Sequence, residues 1–118
     1  MVAAGYSEKD SIELLLINGA KIEDKDNEGN TALMMAAKYN KKENVQFLID
    51  KGANVDTKNN EGWTALTYAV NTNAFDTVEV LLNNKSNKAV KNNKKESLLK
   101  MATTADMRKY LLNIGVLW

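Results

Sequence analysis

The chain has 118 residues, of which 44% are hydrophobic and 26% are charged, and its formal net charge is +1. This composition is typical of one soluble globular domain, and so small a net charge gives no field that would draw the chain to nucleic acid or to an anionic membrane. Histidine and cysteine are both absent, which removes their metal ligands, disulfides and the Ser-His and Cys-His pairs of nucleophilic catalysis. We therefore expect no enzyme activity, no metal site and no cofactor.

The apolar stretches and the N-terminal residues predict no membrane or secretory segment. The longest uncharged apolar stretch, Leu14 to Ile17, is far shorter than the roughly 20 residues that span a bilayer. The first residues lack both the basic start and the apolar core of about 7–15 residues that a secretory signal needs. The sequence therefore predicts a cytoplasmic chain that does not contact a membrane.

Similar segments recur along the chain every 33 residues. Gly29-Asn30-Thr31-Ala32-Leu33 aligns with Gly62-Trp63-Thr64-Ala65-Leu66, and Gly19-Ala20 aligns with Gly52-Ala53. A fixed period of about 20–50 residues is typical of stacked repeat proteins. The register predicts a single repeat domain over 1–118, with four units: a truncated first repeat (1–25), two complete repeats (26–58 and 59–91) and a C-terminal capping repeat (92–118).

Each complete unit predicts two helices in chain order. In the second unit Thr31 is suited to cap the start of a short helix, as Thr64 is in the third. One face of that helix carries small or apolar residues: Leu33, Ala36 and Ala37. The second helix carries bulkier residues at helical spacing: Val45, Leu48 and Ile49. Gly52 is suited to end it, and the Asn-rich stretch up to Gly62 is turn chemistry between units.

The C-terminal part departs from this pattern. Lys85 stands where the preceding repeat has Gly52, and Lys88 stands where Val55 would point inward, so the turn between the last two units is expected to be irregular. Ser97-Leu98-Leu99 keeps the register, and three residues then drop out before the second helix resumes. Val116-Leu117-Trp118 is expected to cover the last helix pair.

The period and its motifs resemble those of the ankyrin-repeat family, whose unit of about 33 residues combines a β-turn with two helices and carries a Thr-Pro-Leu-His-x-Ala signature. Gly-Ala-Asn-Val-Asp at 52–56 is also similar to the family's Gly-Ala-Asp-Val-Asn. The resemblance covers essentially the whole chain and implies an all-α solenoid of stacked helix-turn-helix units joined by β-turn or hairpin loops. Two positions depart from the family pattern: Ala32, Ala65 and Leu98 replace the usual proline, and Met34, Thr67 and Lys100 replace the usual histidine, whose hydrogen bonds are lost or replaced.

The resemblance also implies a function, which is to bind a protein partner through the concave face and the hairpin tips. The positions that the scaffold leaves free are Tyr6, Asn27, Glu28, Asn30, Lys38, Tyr39, Asn60, Glu61, Trp63, Asn71 and Thr72, and Met35 and Tyr68 are expected to line the same groove. Trp63 is the expected main anchor, since tryptophan and tyrosine dominate interface energetics. The alternative interpretation is that Trp63 merely packs on the adjacent turn and Tyr68 on its neighbouring helix.

A second function from another class is a structural segment that assembles with further repeats or with itself through apolar surface around Val2 and Ile12. We expect a monomer and leave a homo-oligomer open, and we expect neither nucleic acid nor membrane as a partner. Asp24 to Gly29 is similar to the start of an EF-hand calcium loop, but Met35 stands where the bidentate glutamate is required. The run of Lys85, Lys88, Lys91, Lys94 and Lys95 could meet an acidic partner or nucleic acid, although a solvated cap is the favoured interpretation.

Overall fold

The computed structural model describes residues 22–116, and within that range every regular element is an α-helix. The helices are α1 (Ala32–Lys38), α2 (Lys42–Asp50), α3 (Ala65–Asn71), α4 (Phe75–Asn83), α5 (Leu98–Met101) and α6 (Ala105–Asn113). They form consecutive pairs, so the prediction of an all-α fold of helix-turn-helix units is confirmed over the described range. Tyr6 and Trp118 lie outside the described residues. The division of the chain into four units stays a prediction.

The pairs stack in chain order. The first helices form one layer, in which α1 packs against α3 and α3 packs against α5. The second helices form the other layer, in which α2 packs against α4, and the rings of Phe75 on α4 and Tyr110 on α6 meet edge to face at 5.8 Å. Each unit therefore buries its apolar faces mainly against its immediate neighbours.

The core contains the two helix faces that the sequence predicts. Leu33, Ala36 and Ala37 of α1 are each no more than 2% exposed. Val45 and Leu48 of α2 are equally buried, whereas Ile49 is only partly buried. The alanines allow the first helices to approach closely, because they add almost no side-chain width.

Threonine side chains start the helices, as predicted. Thr31 Oγ1 accepts the Met34 N–H at 3.4 Å, and Thr64 Oγ1 accepts the Thr67 N–H at 3.4 Å. Thr67 Oγ1 in turn accepts the Thr64 N–H at 2.8 Å, which completes a reciprocal capping box. At the position of the family's histidine, Thr67 thus supplies hydrogen bonds of its own, while Met34 is buried in the core instead.

The second helices end in one repeated geometry, which includes the turn that was expected to be irregular. Gly52, Lys85 and Gly115 all have positive φ, at 99°, 67° and 93°. After α4 the Ser86 N–H donates to Leu81 O at 3.1 Å, and the ends of α2 and α6 have the equivalent bond at 3.0 Å. The expectation of irregularity is wrong here, because Lys85 adopts the left-handed conformation that glycine adopts in the other two turns.

The last unit differs in its first helix. α5 contains 4 residues, whereas α1 and α3 contain 7 each, so the predicted loss of three residues shortens this helix. The Ser97 side chain makes no capping hydrogen bond, but Thr104 Oγ1 accepts the Met107 N–H at 3.1 Å and starts α6. Lys88, which replaces an inward-pointing valine, is exposed, and its Nζ donates to Ile114 O at 2.9 Å.

Candidate partner-binding surface

The turns that precede the first helices share one hydrogen-bonded design. Asp26, Asn59 and Asn92 open these turns at intervals of 33 residues. Asp26 Oδ1 accepts the backbone N–H groups of Glu28 and Asn30, both at 2.9 Å, and the two asparagines accept the equivalent bonds. The bond from the Asn30 N–H, with a smaller contribution from the Glu28 N–H, holds the pKa of Asp26 below its ordinary value.

Successive turns are also bonded to one another. The Asn60 N–H donates to Glu28 O at 3.0 Å, and the Asn93 N–H donates to Glu61 O at 2.9 Å. The asparagine side chains repeat the connection, with Asn60 Nδ2 at 3.2 Å from Asn27 O and Asn93 Nδ2 at 2.8 Å from Asn60 O. The side chains of Asn27, Glu28, Asn60 and Glu61 remain exposed along this edge, as the sequence predicts.

Close contact between turns explains a glycine in two of them. An ideal Cβ at Gly62, whose φ is 81°, would lie 2.5 Å from Asn93 Oδ1 and 2.7 Å from the Asn93 backbone N. Gly29 has the same φ and the same relation to Asn60. In the third turn Lys95 occupies this position with a φ of 62°, and its side chain is exposed.

Aromatic side chains of two repeats meet beside these turns. The rings of Trp63 and Tyr68 lie 5.0 Å apart, and Lys38 Nζ lies 5.6 Å from the ring centre of Tyr39 and 5.9 Å from that of Tyr68. Tyr39 is 52% exposed. We call the surface formed by Lys38, Tyr39, Trp63 and Tyr68 the aromatic strip. It joins α1 to the start of α3, and Met35 is partly buried and packs against the core.

A polar network holds the centre of the aromatic strip. The Tyr68 hydroxyl donates to Asn30 Oδ1 at 2.9 Å and accepts from Asn59 Nδ2 at 2.9 Å, and Asn59 Nδ2 also donates to Asn30 Oδ1. Burial, and secondarily the negative charge of Glu61, raise the pKa of Tyr68 above its ordinary value. Tyr68 therefore stays neutral at physiological pH and keeps one orientation.

The prediction that Asn30 is a free recognition position is wrong. Asn30 is only 5% exposed, and its Oδ1 accepts from both Asn59 and Tyr68. Those partners are 29 and 38 residues away along the chain, so the sequence around position 30 gave no sign of the network. Asn59 was missed for the same reason, although its equivalence to Asp26 and Asn92 was a readable signal.

The remaining predicted site residues divide between exposed and structural roles. Lys38 and Thr72 are exposed, and the Thr72 hydroxyl donates to Tyr68 O at 2.9 Å. Asn71 is partly buried, and its Nδ2 donates to Met101 O at 3.1 Å, which links α3 to α5. Trp63 and Tyr68 are themselves partly buried and contact each other, so the packing interpretation describes part of their surface.

The described residues show neither a metal site nor a membrane span. Over 22–116 no group of three or more His, Cys, Asp or Glu side chains is placed to hold a metal ion. Within the same range no helix has the length and apolarity needed to cross a bilayer.

Comparison with known proteins gives one match. The family profile described as "Ankyrin repeats (3 copies)" matches residues 1–95, which is well over half of the chain. No curated protein matches the chain. The matched range includes the turns, the helix pairs and the aromatic strip described above. The chain therefore belongs to the ankyrin-repeat family.

Proposed function

We propose that this chain is a non-catalytic module that binds a protein partner, and that the aromatic strip is the centre of the binding surface. Ankyrin repeats are generally protein-protein interaction modules. The observation that carries the proposal is Tyr39, half exposed beside a lysine that also lies near the Tyr68 ring. Tyrosine and tryptophan are enriched among the few residues that supply most of an interface's binding energy.

The strip is suited to binding because part of it is already ordered. The Tyr68 hydroxyl is held by Asn30 and Asn59, and the Trp63 N–H donates to Asn59 Oδ1 at 2.9 Å. Ordering these rings on binding therefore costs little further entropy. Tyr39 makes fewer contacts within the fold, and its exposed ring supplies apolar area that a partner would bury.

The surroundings of the strip fit the usual anatomy of an interface, in which an aromatic centre has a polar rim. The Lys38 ammonium can pair with a carboxylate of the partner while its stem lies near the rings. The exposed polar residues of the turn edge provide the rim: Asn27, Glu28, Asn60 and Glu61. The monomeric state and the cytoplasmic location of the chain stay predictions.

The test compares two truncations of equally exposed side chains. Tyr39 and Leu112 are the large hydrophobic residues that are exposed in the described part, at 52% and 50%, and Leu112 lies on α6. Wild type, Tyr39→Ala and Leu112→Ala are immobilised in extracts of the native cell, and captured proteins are identified by mass spectrometry. We expect a partner that wild type and Leu112→Ala retain and that Tyr39→Ala loses.

The affinity of that partner is then measured by calorimetry for each variant. A hot-spot tyrosine should cost about 2 kcal/mol, which is about thirtyfold in Kd. Both variants should melt within a few degrees of wild type, because neither side chain belongs to the buried core. A partner that binds Tyr39→Ala as well as wild type would place the site elsewhere, and a stable dimer that covers the strip would favour self-assembly.

A further inference from the structure

The charges of the chain are divided along its length. Residues 22–83 contain six lysines against five glutamates and five aspartates, a net charge of −4. Residues 84–116 contain seven lysines and one arginine against one glutamate and one aspartate, a net charge of +6. The overall charge of +1 therefore conceals a strongly basic C-terminal end.

Five lysines of this end surround two adjoining depressions, and we call them the basic end: Lys88, Lys91, Lys94, Lys95 and Lys100. One depression, of about 290 Å³, is lined by Lys88 and Lys91 with Ser97 and Val116. The other, of about 390 Å³, is lined by Lys94, Lys95 and Lys100, and Ser97 lines it too. The shared serine makes them one continuous surface, long enough for an extended segment to contact lysines at both ends.

These lysines lack internal counter-ions. All five are exposed, and within residues 22–116 none of Lys91, Lys94, Lys95 and Lys100 has a carboxylate at salt-bridge distance. Glu96 is the acidic residue in the lining, and its Oε1 already accepts from Asn92 Nδ2 at 2.8 Å. Positive charge that the fold does not neutralise favours an external anionic group.

A second copy of the chain does not fit as a continuation of the stack. In the earlier turns a following turn lies so close that a Cβ at Gly29 or Gly62 would overlap it. Lys95 carries a full side chain at the equivalent position. A further turn could not stack on it in the same way, so the basic end is open to a ligand of another kind.

Nucleic acid also fits poorly. Proteins that bind single strands combine basic side chains with aromatic platforms for the bases. Residues 84–109 contain no aromatic residue, and the guanidinium of Arg108 is engaged with Ala102 O at 2.9 Å. Isolated lysine ammonium groups beside a shallow surface suit carboxylates that arrive one at a time along an extended chain.

We propose that the basic end docks an acidic, extended segment of a protein partner. This surface is separate from the aromatic strip, so a partner could use both together or either alone. Attraction between many weakly screened charges would speed the encounter and would weaken steeply as salt is added.

The experiment measures fluorescence anisotropy of a labelled glutamate-rich peptide against three proteins: wild type and two triple variants. The test variant is Lys91→Gln, Lys94→Gln and Lys100→Gln, and the matched control is Lys25→Gln, Lys41→Gln and Lys58→Gln. Each triple removes three exposed lysines and so takes the formal net charge from +1 to −2. We expect the test variant to bind about tenfold or more weakly at low salt, and the control to change by less than about threefold.

Further measurements separate this proposal from its rivals. Wild-type affinity should fall as salt rises, and Tyr39→Ala should bind the peptide as wild type does, whatever becomes of the partner of the aromatic strip. Equal loss in both triple variants, or an affinity that ignores salt, would overturn the proposal. It would also be overturned by an oligouridylate of equal charge that binds more tightly than the peptide and displaces it from the same lysines.

Discussion

The third repeat and the C-terminal unit contain the same parts under different constraints. Both begin with an asparagine that accepts two backbone N–H groups, Asn59 in one and Asn92 in the other. The third repeat then has Gly62 and a 7-residue helix with a complete capping box, whereas the last unit has Lys95 and a 4-residue helix without a side-chain cap.

The difference shows which features belong to the repeat and which belong to having a neighbour. The turn itself needs the asparagine, and the last unit keeps it. Glycine and a full-length first helix are present where another unit packs on top, and they are absent where the described stack ends. Each feature can therefore be tested by making the same substitution in both units.

The largest effect is expected from equivalent core leucines. Leu66 and Leu99 lie 33 residues apart and are each no more than 1% exposed. Replacing either by alanine should lower the free energy of unfolding by about 2–5 kcal/mol, because a cavity remains. Leu66→Ala should be the more costly in urea denaturation, since α3 packs between α1 and α5 while α5 has α3 on one side only. A larger loss for Leu99→Ala would break the comparison.

The next effect concerns the turn glycines. Gly62→Ala places a Cβ against the Asn93 backbone in a left-handed conformation, and the two costs should lower the free energy of unfolding by about 2–4 kcal/mol. Lys95→Ala at the equivalent position should change it by less than about 0.5 kcal/mol. Thermal melts monitored by circular dichroism measure both. If Gly62→Ala were tolerated, contact with the next turn would not be what requires glycine.

A smaller effect of opposite sign is expected where α4 ends. Lys85→Gly should stabilise the protein by about 0.5–1 kcal/mol, because a side chain in the left-handed region costs about that much more than glycine there. Gly52→Lys is the reverse change, and an added Cβ would meet no atom within 4 Å, so strain alone should destabilise it by a similar amount. Urea midpoints that move in the same direction for both variants would contradict this account.

The smallest effect concerns pH. The folded state lowers the pKa of Asp26, so the ionised carboxylate adds stability above the ordinary aspartate pKa of about 3.9, and that contribution is lost as pH falls through the lower folded value. Asp26→Asn should keep the turn, as Asn59 and Asn92 do, and should lose less stability on acidification, by less than about 1 kcal/mol because the group is exposed. Urea unfolding at neutral pH and near pH 3 measures this difference, and an equal loss in both proteins would contradict it.

Much of the fold could be predicted from the chain because the period repeats its physical causes. Threonine caps, alanine faces and Gly52 each have local signatures, and each has the predicted role. The turn at Lys85 was predicted wrongly, because the residue type suggested irregularity while the surrounding backbone bonds enforce the left-handed conformation.

The candidate site could be predicted only in part. Exposed Tyr39 and Lys38 follow from their register, since the scaffold does not use those positions. The burial of Asn30 depends on side chains from the next repeat, and so does the contact of Lys38 with Tyr68. Such contacts across repeats depend on how two units dock, and the sequence of one unit does not specify that geometry.

The chain of bonds between successive turns also bears on how such a protein tolerates changes in length. Each turn edge is joined to the one before it by a backbone N–H and by an asparagine amide, so an inserted residue there would displace every later unit. The shortened α5 shows the opposite end of a unit absorbing a difference of three residues, while the turn before it and α6 after it keep their geometry. Insertions and deletions should therefore survive selection mainly between the two helices of a unit, and a library of single-residue insertions would map that tolerance directly.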